Sequence, residues 1–111
     1  MMDVSGLPGF EAIRLRFLKR LNDKIAVIQD AFAAMTAHNN PELAPKLALA
    51  RDELHMISGS AGSLGMVQIG DQARLCENLT IAFLDRLDPD IAEMQVQYEH
   101  FISLVEYIQS K

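Results

Sequence analysis

Apolar residues recur at alternating three- and four-residue steps in four segments of the chain. The first runs Ile13, Phe17, Leu21, Ile25, Ile28, Phe32, Met35, and the second Leu43, Leu47, Ala50, Leu54, Ile57, Ala61, Leu64. The third takes Met66, Ile69, Ala73, Cys76, Leu79 (or Thr80) and Phe83; the fourth takes Ile91, Met94, Tyr98, Phe101, Val105 and Ile108. This spacing keeps one stripe of a helix apolar, and no period-two alternation competes with it. The punctuation agrees. "HNNPE" offers Asn40 as N-cap with Pro41 at the first helical position, "DRLDPD" offers Asp88 and Pro89 in the same roles, and Gly65 is placed to stop the second helix. Helices are expected over about 9–38, 41–64, 66–85 and 89–109, with room for a short extra N-terminal helix before Pro8 and Gly9. Connections this short force neighbours antiparallel. The expected fold is all-α, an up-down-up-down four-helix bundle in a single domain spanning 1–111.

Composition narrows the function more than the fold. A chain of 111 residues that is 50% hydrophobic and 23% charged can bury a core without staples. Its formal charge of −5 argues against a nucleic-acid binder, which needs a basic face. Cys76 is the only cysteine, which excludes an internal disulfide and a cysteine metal cluster. The N-terminus lacks a basic region followed by an apolar run, and the uncharged stretch Leu54 to Gly70 is too rich in Ser, Gly and Gln to span a membrane. A cytoplasmic, monomeric protein is expected.

One stretch does not fit a helix made only for packing. "LHMISGSAGSLG", Leu54 to Gly65, carries three glycines, three serines and a histidine inside the second apolar run. At about 100° per residue, His55 falls roughly 125° from the centre of the core stripe, with Gly59 and Gly62 within about 40° of it. Arg51 flanks it one turn earlier, Ser58 lies nearer the edge of the stripe, and Met56 adds apolar surface. Each interior glycine costs about 1 kcal/mol against alanine, out of a total stability of about 5–15 kcal/mol. In return the imidazole stands clear of its own helix, and a partner can approach the backbone. The plainer alternative is that the glycines let another helix pack closely and His55 is an ordinary surface residue.

The order of residues favours the first reading. "HMISGSAGSLG" resembles the signature of histidine-containing phosphotransfer (HPt) domains, H-x-[LI]-K-G-[SA]-[SA]-x-x-[LIV]-G: His55, Ile57, Gly59, Ser60, Ala61, Leu64 and Gly65 all match. Ile69, Ala73, Cys76 and Glu77 fall where that family places its next helix, and the likeness covers nearly the whole chain. One position departs: the family's usual lysine three residues after the histidine is here Ser58, and Arg51 is the cation placed to take its role.

The resemblance implies a phosphorelay carrier that accepts a phosphoryl group on Nε2 of His55 from a receiver-domain aspartate and passes it to another receiver. It implies that Glu77 hydrogen-bonds Nδ1–H, with an ordinary boundary carboxylate as the plain alternative. The docking surface would comprise Arg51, Met56, Ser58, Gly59 and Gly62. Expected partners are response-regulator receivers or a hybrid histidine kinase, with no nucleic acid and no membrane. No cofactor is expected on this chain; Mg²⁺ is expected on the receiver. The chain has no Walker loop or kinase glycine loop, so it reads as a phosphotransfer intermediate rather than an ATP-using enzyme. Arg14, Arg16, Lys19, Arg20 and Lys24 concentrate positive charge on the first helix, as a solvated face or as a means of steering an acidic receiver. The rival function is a helical adaptor that docks a receiver or kinase without being phosphorylated. His38 and His100 do not pair with His55 at metal-ligand spacing, and no metal site is expected.

Overall fold

A computed structural model describes residues 9–36, 40–85 and 90–110. These form four helices: α1 (Phe10–Met35), α2 (Leu43–Ser63), α3 (Val67–Leu84) and α4 (Ile91–Gln109). Each helix packs on its two neighbours around a square, α1 on α2 and α4, and α3 on α2 and α4. The result is an elongated four-helix bundle of 50 × 26 × 19 Å. The four apolar stripes meet in one core, in which Leu21, Ile28, Leu47, Leu54, Ile69, Met94, Tyr98, Phe101 and Val105 are fully buried.

The helix ends follow local chemistry, with shifts from the expected positions. Asn40 does act at the start of α2: its Oδ1 accepts from Glu42 N at 2.9 Å. Pro41 and Glu42, however, form a turn, and the helix starts at Leu43. The C-terminus of α2 closes with Gly65 at φ 75. Met66 N donates to Ala61 O (2.9 Å) and Gly65 N to Gly62 O (3.3 Å), a pair of bonds that satisfies the last carbonyls and turns the chain sharply into α3. Asp90 caps α4 through Oδ1, which accepts from Ala92 N at 2.9 Å. The expected cap residues Asp88 and Pro89, His38, and any helix before Pro8 lie outside the described residues.

Two departures from the periodic pattern bear on the site. Ile13, placed in the core by its spacing, is 47% exposed. It faces a cleft of about 450 Å³ between α1 and α2, where Ser60 and Ser63 are too small to cover it. The end of α1 is anchored by Phe10 and Phe17 instead, and Ala31 and Ala34 join the core further along. On α3 the choice between Leu79 and Thr80 falls to Thr80, which is fully buried. Its Oγ1 donates to Cys76 O at 2.7 Å, so Tyr98 Oη donates its own proton to Thr80 across 2.5 Å. Burial pushes the Tyr98 phenol up and the Cys76 thiol up to about 12, so both stay neutral core groups.

Candidate functional site

His55 occupies the middle of α2, on the edge that faces α3. Its side chain is 74% exposed, whereas Glu77, which reaches it from α3, is only 13% exposed. Nδ1 of His55 and Oε2 of Glu77 stand 2.7 Å apart. A carboxylate only accepts, so Nδ1 carries the proton, and in the neutral ring Nε2 is the nitrogen with the lone pair. The ring is therefore held by one nitrogen and leaves the other without a partner among the described residues, on a solvent-reaching side chain. Glu77 is held in turn by the packing of α3 on α2. Gly70, two turns before Glu77, sits on the α2 backbone, where an added Cβ would lie 3.4 Å from Ser58 O and 3.5 Å from Gly62 N.

The bare surroundings of the imidazole are real. A Cβ built on Gly59 or Gly62 would meet nothing within 4 Å, so no neighbouring helix uses their lack of a side chain. The close helix approach expected as the plainer role for these glycines is made by Gly70 of α3 instead. Met56, beside His55, is 51% exposed.

Ser58, which the spacing places on the docking surface, is instead buried against α3, and its hydroxyl donates to His55 O at 3.2 Å. At about 60° from His55 on the helix it turns into the α2–α3 seam, and its short side chain returns to its own backbone. Arg51 is half-exposed on the expected side, with Nε 3.2 Å from Asp52 Oδ1. Its charge therefore already has a neighbour. Cys76 lies in the core, and its Sγ donates to Gln97 O at 3.3 Å. His100 is exposed on α4.

The opposite edge of α2 carries features that spacing alone did not single out. Lys24 of α1 reaches across to Glu53 Oε2 at 2.5 Å, and its Nζ lies 4.0 Å from Met56 Sδ. Lys24, Arg16 and Arg20 rim the cleft whose apolar floor includes Phe17, Ile57 and Leu64. The basic run on α1 was visible in the sequence; its convergence with Met56 required the packing of two helices. Among the described residues no group of three or more His, Cys, Asp or Glu side chains is placed to hold a metal ion, and no helix is long and apolar enough to cross a membrane.

The fold and site define a small four-helix domain with a solvent-reaching histidine, paired with a carboxylate, in the middle of one helix. The Hpt domain family model matches residues 12–110, nearly the whole chain, and the protein belongs to that family. The family carries a role in histidine phosphotransfer within phosphorelays. No curated protein and no solved structure matches the chain.

Proposed function

We propose that the protein is a phosphorelay carrier in which Nε2 of His55 accepts a phosphoryl group from the aspartyl phosphate of a receiver domain and yields it to the aspartate of another. The observation that carries this reading is the pairing of a 74% exposed imidazole with a mostly buried carboxylate through Nδ1. In the forward step the Nε2 lone pair forms an N–P bond as the P–O bond to the aspartate breaks, and the departing carboxylate keeps that electron pair. The ring becomes a phosphorylated imidazolium. Its Nδ1–H remains on the Glu77 carboxylate, which offsets the developing positive charge. The second transfer runs the same sequence in reverse on a new aspartate.

Phosphoryl transfer depends chiefly on alignment and charge neutralisation. This chain supplies the nucleophile, its orientation and clear space for in-line approach above Gly59 and Gly62. The receiver supplies the acidic residues and the Mg²⁺. Met56 and the cleft between α1 and α2 offer apolar contact beside the nucleophile, and Arg16 and Arg20 favour an acidic partner face. Cytoplasmic location and a monomeric state accord with this role.

Incubation with a phosphorylated receiver tests it. The expected product is an acid-labile, base-stable phosphoryl adduct that is missing in His55→Gln. Absence of the adduct across several receivers, with binding intact, would favour an adaptor that docks without accepting phosphate.

A further inference from the structure

A phosphoryl group on Nε2 would bring about two negative charges at neutral pH close to the Glu77 carboxylate, against the single positive charge of the phosphorylated ring, so a further cation nearby would stabilise the loaded state. The described parts of α2, α3 and α4 hold three Lys or Arg residues: Lys46, Arg51 and Arg74. Lys46 is bound to Asp30 and Glu42, and its position nine residues before His55 puts it about 13 Å down the helix. Arg51 is paired with Asp52. Lys24, which comes from α1, is paired with Glu53 on the far edge of α2. Arg74 is exposed, and among the described residues it has neither an ion pair nor a hydrogen bond.

Its place in the fold is specific. Arg74 follows Gly70 by four residues and precedes Glu77 by three, so it lies on the α2-facing side of α3, turned outward from both by about 40–60°. Gly70 fixes that stretch of α3 against Ser58 and Gly62 of α2, and Glu77 fixes the next turn against His55. Because the two helices run antiparallel, Arg74 stands about 4.5 Å from the level of His55, towards Gly59 and Gly62. Neither glycine puts a side chain of its own into that seam, and a Cβ added at either would meet nothing within 4 Å. Glu77, which as an i+3 neighbour is a natural partner for Arg74, is committed to His55 instead.

We propose that Arg74 is the phosphoryl-anchoring residue of this protein: its guanidinium crosses the bare seam above Gly59 and Gly62 and binds the phosphoryl oxygens carried by His55. A guanidinium suits this role because its planar fork matches two phosphate oxygens at once. The glycines then keep open both the path of the incoming phosphoryl group and the path of the cation that receives it. This inference rests on His55 being the phosphoryl acceptor.

Phosphoramidate separates the two ideas because it needs no partner docking. The Nε2–P bond forms as the donor's P–N bond breaks and ammonia leaves with the electron pair. The full chain and its Arg74→Ala, Arg74→Lys, Arg51→Ala and His55→Gln variants are compared by initial phosphorylation rate and by the phosphorus-31 chemical shift of the adduct, with helix content checked by circular dichroism. Expected is a loss of about tenfold in rate for Arg74→Ala with a displaced phosphorus shift. Arg74→Lys should stay within about threefold of the parent and Arg51→Ala within about twofold. An Arg74→Ala variant that matches the parent in both rate and shift would overturn the assignment to Arg74, as would an Arg51→Ala variant that loses as much. No adduct in the parent protein would overturn the carrier reading itself, and this inference with it.

Discussion

Two hydrogen bonds leave α3 within one turn of each other, and they serve opposite ends. Glu77 reaches outward to His55, whose ring is mostly in water; Thr80 reaches inward to Tyr98, where both groups are fully buried. The first bond costs little to break by the standards of folding, because its imidazole is mostly in water. The second cannot be opened without stranding a hydroxyl in the core, where an unpaired polar group costs about 1–3 kcal/mol. One helix thus carries a bond for chemistry and a bond for stability three residues apart. Substitutions at the two should separate activity from folding.

His55→Gln gives the largest expected effect on one side of this division. Phosphoryl incorporation should vanish, while the unfolding free energy in urea stays within about 0.5 kcal/mol of the parent, as expected for an exposed side chain. A residual adduct in that variant would place the nucleophile elsewhere. Glu77→Ala comes next. Loss of the orienting carboxylate should slow transfer from a phosphorylated receiver about tenfold, with Glu77→Gln recovering most of the rate because its amide oxygen still accepts from Nδ1. Equal rates for Ala and the parent would reduce Glu77 to an ordinary boundary carboxylate.

Tyr98→Phe probes the buried bond. It should lower the urea unfolding free energy by about 1 kcal/mol and leave the transfer rate unchanged at 25 °C, since Thr80 still donates to Cys76 O. A slowed transfer with unaltered stability would invert the roles assigned to the two bonds. The smallest effect belongs to Gly59→Ala. A methyl group there meets nothing within 4 Å, so helix propensity alone should raise stability by about 1 kcal/mol. The same methyl stands on the face that a receiver must approach, and a modest fall in transfer rate is expected. A gain in stability with no functional loss would show that the face tolerates a side chain.

The bundle was legible because its stripes are long and three of its ends carry recognisable stops. Gly65 falls in the left-handed conformation its position demanded, and the phase of α2 put His55 outside. What the pattern could not supply was which neighbour covers a residue at the edge of a stripe. Ser58 and Ile13 both sit at such edges, and they came out the opposite way from expectation. Ser58 is covered because Gly70 lets α3 approach, and Ile13 is uncovered because the serines of α2 leave a cleft. Gly70 stands next to Ile69 in the apolar phase of α3, and that was the one available sign of a close helix contact. The Lys24–Glu53 pair joins residues 29 apart in the chain, and nothing local announced it. Asp90 makes the capping bond to Ala92 N, a role that the reading of "DRLDPD" gives to Asp88, and composition alone does not separate the two.

The most direct measurement is of the nitrogen that bears phosphorus. Protein labelled with nitrogen-15 in its histidine rings, once phosphorylated, should show a single phosphorus–nitrogen coupling at Nε2 of His55, with the proton of that ring retained on Nδ1. Coupling at Nδ1, or to the ring of His38 or His100, would contradict the arrangement in which Glu77 holds one nitrogen so that the other can react.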